Sequence, residues 1–342
     1  MRTSRLLALG AAAVLTVGLA ACSSAPSSTD DSTAGGAPAS DGAFPVTIEH
    51  VYGETTITEK PERVATVAWA NHEVPLALGV VPVGMSKATW GDDDDNGVLP
   101  WVEDQLDELG AETPVLFDET DGIDFEAVAD ANPDVILASY SGITQEEYDT
   151  LSKIAPVVAY PEVAWGTPVE TMIEMNSAAL GLADEGQELI DQLHADTEAA
   201  LDEHAALKDA KVLFAYLDPS DLSQIMYYTP VDTRPGFLTS LGLPEPQVLA
   251  DTESTDFYLT VSAEQADVFD DVDLFITYGD ASLIETLQAD PLLSKIPAIA
   301  DGRIAILPDA TPLAASANPS PLSIGWGIDD YFALLEAPLL EK

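Results

Sequence analysis

The sequence predicts an α/β protein of two similar lobes joined by one long helix, and three observations predict it. Short β-rich runs alternate with helical stretches, the pattern of parallel α/β sheets. A helix-then-strand unit recurs. Asp124-Phe125-Glu126 opens a helix ending at Asn132-Pro133-Asp134 before run 135–138, and Ser262-Ala263-Glu264 opens one ending near Asp271 before run 274–277. Each copy then reaches a tyrosine and a glycine, Tyr140 and Gly142, then Tyr278 and Gly279. Between the copies, residues 167–207 carry no strand signal.

The elements follow in chain order. Arg2 and Arg5 make a positive n-region, and residues 6–21 are an almost unbroken run of Leu, Ala, Val and Gly. That run is too short for a spanning helix and suits a signal peptide over 1–21. It ends in Leu19-Ala20-Ala21-Cys22, which matches the bacterial lipobox, where the cysteine is lipidated and becomes the first residue. The bland alternative is an ordinary secretory signal with a chance cysteine. Cys22 is the only cysteine, so an intrachain disulfide is excluded. Lipid on Cys22 would anchor the protein to the outer face of the cell membrane. Residues 22–43 are small and polar and read as a flexible tether.

The first lobe is expected over 44–183. Its strands are runs 64–68, 80–85, 135–138 and 157–159, with helices at 72–78 and 101–109. Residues 184–207 read as the single interlobe helix, with Leu189, Leu193, Thr197 and Leu201 at helical spacing. The second lobe, 208–342, opens with strand 212–216 and helix 236–241. Gly242-Leu243-Pro244 closes that helix much as residues 79–82 close the first one. Asp124 and Ser262 stand in N-cap positions, each with a Glu in the first turn.

The net charge is −48; without Arg2 and Arg5, 10 basic residues face 60 acidic ones, or −50. Nucleic acid is excluded as a partner. Most of this charge solvates the surface, but a polyanionic ligand would be repelled while a neutral or cationic one would not.

In open parallel sheets, ligands lie beyond the carboxyl ends of the strands. Those ends carry Trp69, Trp90, Tyr140 and Trp165 in the first lobe, and Tyr216, Tyr227, Tyr228 and Tyr278 in the second; Trp326 follows a Pro-rich loop. One such aromatic is as readily core as site. One at nearly every strand end points to a cleft for a bulky, flat-sided, partly polar ligand. Arg234 is the one arginine in a pocket-like loop, and Arg63 and Arg303 read as strand-start residues.

Other motifs are weaker. Asp92, Asp94, Asn96, Gly97 and Glu103 fit the calcium-loop pattern D-x-[DN]-x-[DN]-G-x5-E, although a strand precedes it and, in so Asp-rich a chain, a solvated acidic turn is the plainer account. His194 and His204 are ten positions apart on the expected helix and do not converge on a metal; His72 begins a helix or faces the pocket. Gly-x-Ser-x-Gly, Gly-x-Gly-x-x-Gly and the P-loop are absent, and His72-Glu73 lacks the second histidine of a zinc protease, so the reading is not an enzyme.

Pro61-Glu62-Arg63-Val64 and the run 78–84 resemble the opening of the iron-siderophore and cobalamin substrate-binding family of ABC importers. Asn132-Pro133-Asp134-Val135-Ile136, Ile154-Ala155-Pro156-Val157-Val158 and the segment 320–326 resemble its later elements, so the resemblance runs from about Phe44 to the end. It implies two Rossmann-like lobes bridged by one long helix, the class III periplasmic-binding-protein type, with little hinge motion. It implies a monomer that captures a ferric siderophore and delivers it to a membrane permease powered by a cytoplasmic ATPase. Iron would be held by the siderophore's own oxygens. Glu126 and Glu264 match the positions where the family carries one docking glutamate per lobe; helix-end stabilisation is the plainer account of them. Family pockets for anionic catecholates carry several arginines. Arg234 alone departs from that pattern and points to a hydroxamate or mixed siderophore. Haem or cobalamin, with His72 or a tyrosine as axial ligand, and a metal-ion importer component are the alternatives.

Overall fold

The computed structural model describes residues 44–252 and 254–340. The signal peptide, Cys22 and the tether lie outside the described residues. A hairpin of β1 (Val46–His50) and β2 (Gly53–Ile57) comes first. Thr55 Oγ1 pins it to the first lobe by donating to the Val157 carbonyl at 2.6 Å.

The first-lobe sheet contains β3 (Val64–Thr66), β4 (Gly84–Ser86), β5 (Val115–Phe117), β6 (Val135–Leu137) and β7 (Val157–Val158). Its order is β5-β4-β3-β6-β7, all parallel. Helices α1 (Glu73–Ala77), α2 (Pro100–Leu109), α3 (Phe125–Asp130), α4 (Gln145–Leu151) and α5 (Val169–Ala179) cover it. The inner strands β3, β6 and β7 are short, buried along their length and almost wholly apolar, as strands covered on both faces are.

The connector differs from the expected single helix. Helix α6 (Ala183–Asp202) ends at Glu203, and α7 (Ala205–Lys208) is separate. The break has a tertiary cause. Glu336 pairs with His204 Nδ1 at 2.9 Å and accepts the Ala206 N–H at 2.8 Å. His204 is thus the N-cap of α7 and does not share a helix with His194.

The second lobe holds β8 (Val212–Tyr216), β9 (Gln224–Tyr228), α8 (Thr233–Ser240), α9 (Gln247–Ala250) and β10 (Tyr258–Ser262). A 3₁₀ helix (Ala263–Phe269), β11 (Leu274–Gly279), α10 (Ser282–Ala289), α11 (Pro297–Ala300), β12 (Ile304–Pro308), α12 (Pro312–Ser316) and α13 (Pro321–Leu340) follow. Sheet order is β10-β9-β8-β11-β12. The all-parallel expectation fails here, because β9 runs antiparallel to both β8 and β10.

The lobes share a core. Val74, Val169 and Ile173 of the first lobe, Ile190 and Leu193 of α6, and Phe214, Ile276 and Phe332 of the second belong to one buried cluster. A continuous core between lobes resists their separation. A second tie is polar. Fully buried Glu73 accepts the Trp101 indole N–H at 2.8 Å and the Leu322 backbone N–H, at the start of α13, at 3.0 Å. No helix among the described residues is long and apolar enough to cross a membrane.

Candidate functional site

A cavity of about 660 Å³ opens where the carboxyl ends of the two sheets face each other. Trp69, Trp90, Tyr140 and Trp165, each just past a first-lobe strand, form one wall. Tyr216, Tyr228, Arg234 and Tyr278 form the facing wall. Trp90 meets Tyr278 edge-on across the lobes at 5.6 Å, and Tyr140 meets Trp165 in the same way at 5.6 Å. Such aromatic pairs hold large flat surfaces at fixed angles. Trp165 and Tyr216 remain 40% and 45% exposed, so each wall keeps free aromatic surface.

The first-lobe wall is held in unusual backbone. Ala68 and Ala70, on either side of Trp69, have φ 62° and 61°, and Trp165 itself has φ 60°. Each left-handed non-glycine residue costs roughly 1–3 kcal/mol and persists only where its surroundings fix it. Buried Asn71 fixes the first two. Its Nδ2 donates to the Val67 and Tyr140 carbonyls at 2.8 Å, and its Oδ1 accepts the Tyr140 N–H at 3.1 Å. Gly142 makes room for the third, since a Cβ there would stand 2.2 Å from the Trp165 indole nitrogen.

Arg234 lies in the first turn of α8 and forks onto Asp232, Nε to Oδ1 at 2.9 Å and Nη2 to Oδ2 at 2.5 Å. The guanidinium stacks on the Tyr228 ring at 4.1 Å and donates to Tyr278 Oη at 3.4 Å. Burial alone would weaken its proton; Asp232 and Tyr278 outweigh burial and hold it above the ordinary arginine range. Asp232 is 1% exposed and is neutralised by this pair, so the cavity gains little positive charge from Arg234. Two further carboxylates line the second-lobe side, Asp280 and Asp309, at the paired ends of β11 and β12. The Ser282 hydroxyl and amide hold Asp280 below its usual range, so it stays ionised. At the lobe junction, Asn318 Nδ2 donates to Tyr140 Oη at 3.0 Å, and Thr233 Oγ1 stands 3.2 Å from the same oxygen.

Three expected site residues do not line the cavity. Tyr227 is 3% exposed and packs on Phe269 at 6.0 Å, because adjacent residues of β9 face opposite ways. Trp326 lies inside α13 and packs at a tilt against Trp101, ring centroids 5.2 Å apart. His72 is buried outside the cavity, its Nδ1 without a partner, and burial lowers its pKa to about 4. Asp232, Phe257, Asp280, Asp309 and Asn318 line the cavity and were not expected. A signal existed for Asp232, which caps α8 by accepting the Arg234 N–H at 2.8 Å.

The acidic loop is a folded Asx turn. Asp92 accepts the N–H groups of Asp94, Asp95 and Gly97, and Asn96 donates its amide to Glu103. Oxygens of Asp92, Asp93 and Asp94 lie within 4.8 Å of one another. Much of the acceptor capacity a cation would need is thus engaged within the loop. Glu126 and Glu264 are exposed in first turns capped by Asp124 and Ser262, at 3.0 and 3.3 Å.

A family model described as periplasmic binding protein matches residues 64–311. The probable siderophore-binding lipoprotein YfiY of Bacillus subtilis (strain 168) is 30% identical over 243 residues, which cover 68% of this chain and 69% of that protein. The crystal structure of Streptococcus pneumoniae TIGR4 PiaA in complex with ferrichrome has 49% identity and a TM-score of 0.82, covering 86% of this chain and 98% of that one. A periplasmic solute binding protein from Mycobacterium smegmatis has 27% identity and a TM-score of 0.69 over 86% and 98% of the two chains. With the family model spanning most of the chain and two α/β lobes meeting at an aromatic cleft, this chain belongs to the periplasmic binding protein family.

Proposed function

We propose that this protein captures a ferric siderophore of hydroxamate or mixed type between its lobes and hands it to the permease of an ABC importer. It acts by binding and not by catalysis. Lipid on Cys22 holds it at the outer face of the membrane, and Glu126 and Glu264 meet the two permease subunits. A cytoplasmic ATPase drives the transfer. The observation that carries this reading is the aromatic interlobe cavity in a chain 49% identical to a ferrichrome-bound protein.

The chemistry of the lining supports the cargo class. The rings would pack on the organic shell of the chelate, and the free edge of Arg234 would donate to oxygens around the iron. Its charge is balanced by Asp232, and Asp280 and Asp309 leave the lining acidic. A polyanionic ferric catecholate is disfavoured there, while a neutral or cationic ferric hydroxamate is not. Haem and cobalamin lose their candidate histidine, because His72 is outside the cavity.

The test is a titration of purified protein with ferrichrome, a ferric tris-catecholate, haem and cobalamin, read by tryptophan quenching. Ferrichrome is expected to bind and the catecholate to fail. Binding of the catecholate in preference to ferrichrome refutes the charge argument, and binding of none of the four refutes the cargo.

A further inference from the structure

The loop that presents Trp69 is braced by a carboxylate outside the cavity. Glu119 stands two residues past β5 and reaches over the end of β4, where it accepts Ser86 Oγ at 3.1 Å. Its two oxygens also share the Ala68 backbone N–H, at 2.9 and 3.2 Å. Ala68 is left-handed, and so is Ala70 beyond Trp69. Alanine gains nothing from that conformation, so the loop needs holding from outside. Asn71 holds the carbonyl side, at Val67 and Trp69, and Glu119 holds the amide side. Glu119 does not itself line the cavity.

We infer that Glu119 is a positioning residue for cargo binding: through the Ala68 amide it fixes the left-handed loop that turns Trp69 into the cavity. This rests on the reading of Trp69 as a cargo contact. A carboxylate is suited to the task because it offers two acceptor oxygens to two donors, a backbone amide and a hydroxyl. A carboxamide offers one oxygen and turns its NH₂ toward a donor.

The geometry carries a pH consequence. Burial, with a smaller push from the charge of Glu147 on α4, lifts Glu119 to about 7 against its bonds to Ala68 and Ser86. Lys87 and Asp118, each one residue past β4 and β5, are the charged residues that adjoin Ser86 and Glu119 in the chain. Protonation removes one acceptor oxygen, so the hold on Trp69 loosens as pH falls through about 7.

The experiment measures ferrichrome affinity by calorimetry at pH 6 and pH 8 for wild type, Glu119→Gln, Trp69→Ala and the double variant. At pH 8, Glu119→Gln is expected to lose about ten-fold, the size of one hydrogen bond to a charged acceptor. Trp69→Ala should lose at least as much, and the double variant no more than Trp69→Ala, because both changes act through one side chain. Wild type should bind more weakly at pH 6 than at pH 8, and Glu119→Gln should not. Ser86→Ala, which removes the second donor, should show a smaller loss with the same non-additivity, and serves if Glu119→Gln fails to fold. Additive losses overturn the inference. So does a pH difference that survives Glu119→Gln, which would point to Glu73, also lifted to about 7. Normal binding by Trp69→Ala removes the cargo reading of that wall; weak binding by Trp69→Ala with normal binding by Glu119→Gln removes the role of Glu119 alone.

Discussion

His72 and Glu73 are neighbours in sequence, both buried, and burial moves each toward its neutral form. Glu73 rises from 4.5 to about 7, and His72 falls from 6.5 to about 4. The consequences for stability have opposite signs. Glu73 binds its proton more tightly in the fold, so its contribution is complete below pH 4.5 and is lost as pH rises through about 7. His72 binds its proton less tightly in the fold, so its contribution is complete above 6.5 and is lost as pH falls toward 4. Between pH 5 and 6.5 each slope is about 1.4 kcal/mol per pH unit, and the two nearly cancel. Each single variant should therefore expose the other residue. Relative to wild type, Glu73→Gln should gain roughly 2 kcal/mol of stability from pH 5 to 6.5, and His72→Leu should lose roughly as much. Glu73→Gln also leaves one of two donors, the Trp101 indole or the Leu322 amide, without an acceptor, but that offset does not vary with pH. Urea unfolding at four pH values measures this, and comparison with wild type removes the background of surface carboxylates. Curves parallel to wild type for both variants would refute the burial argument.

Other predictions concern the cavity and docking. Gly142→Ala should drive the Trp165 indole from its place and weaken ferrichrome binding about ten-fold without unfolding, in line with a displaced aromatic anchor; unchanged affinity would mean that Trp165 does not touch cargo. Arg234→Lys keeps the charge but loses the fork on Asp232 and the stacking on Tyr228, and should weaken binding by about 1–3 kcal/mol. Equal binding by the lysine variant counts against a directed guanidinium contact. Glu126→Ala with Glu264→Ala should leave ferrichrome affinity near normal and strongly reduce import in cells, since exposed charges set encounter and orientation; normal import leaves these glutamates as helix-end stabilisers.

Strand ends were the most readable part of the site, because a parallel strand must stop on the ligand face. Trp69, Trp90, Tyr140 and Trp165 all follow parallel strands and all line the cavity. The same rule misplaced Tyr227, since β9 is antiparallel and its adjacent residues face opposite sides; period-2 reasoning would have admitted only one of Tyr227 and Tyr228. Asn318 left no local signal, because its role arises from meeting Tyr140, 178 positions away. The break after Asp202 was hidden for the same reason, since its cause is Glu336 on α13. Strand β12 carries a legible signal, the apolar run Ile304–Pro308 after Gly302, and its carboxyl end places Asp309 at the cavity.

The shared core constrains how such a cleft can select its cargo. Lobes that pack through one buried cluster would break it by opening widely, which favours a pre-formed cavity. A pre-formed cavity places its cost in the protein before cargo arrives. Here that cost is visible as left-handed alanines beside Trp69, a left-handed Trp165, and a buried arginine kept charged by Asp232. Each depends on a neighbouring residue: Asn71 and Glu119 brace the loop at Trp69, Gly142 leaves room for Trp165, and Asp232 pairs with Arg234. On the proposed reading, cargo would meet rings and a guanidinium already ordered, and the entropy of ordering them would not be charged to binding. Affinity should accordingly be as sensitive to this supporting layer as to the rings themselves, which is why the sharpest tests fall on Gly142 and Glu119, neither of which lines the cavity.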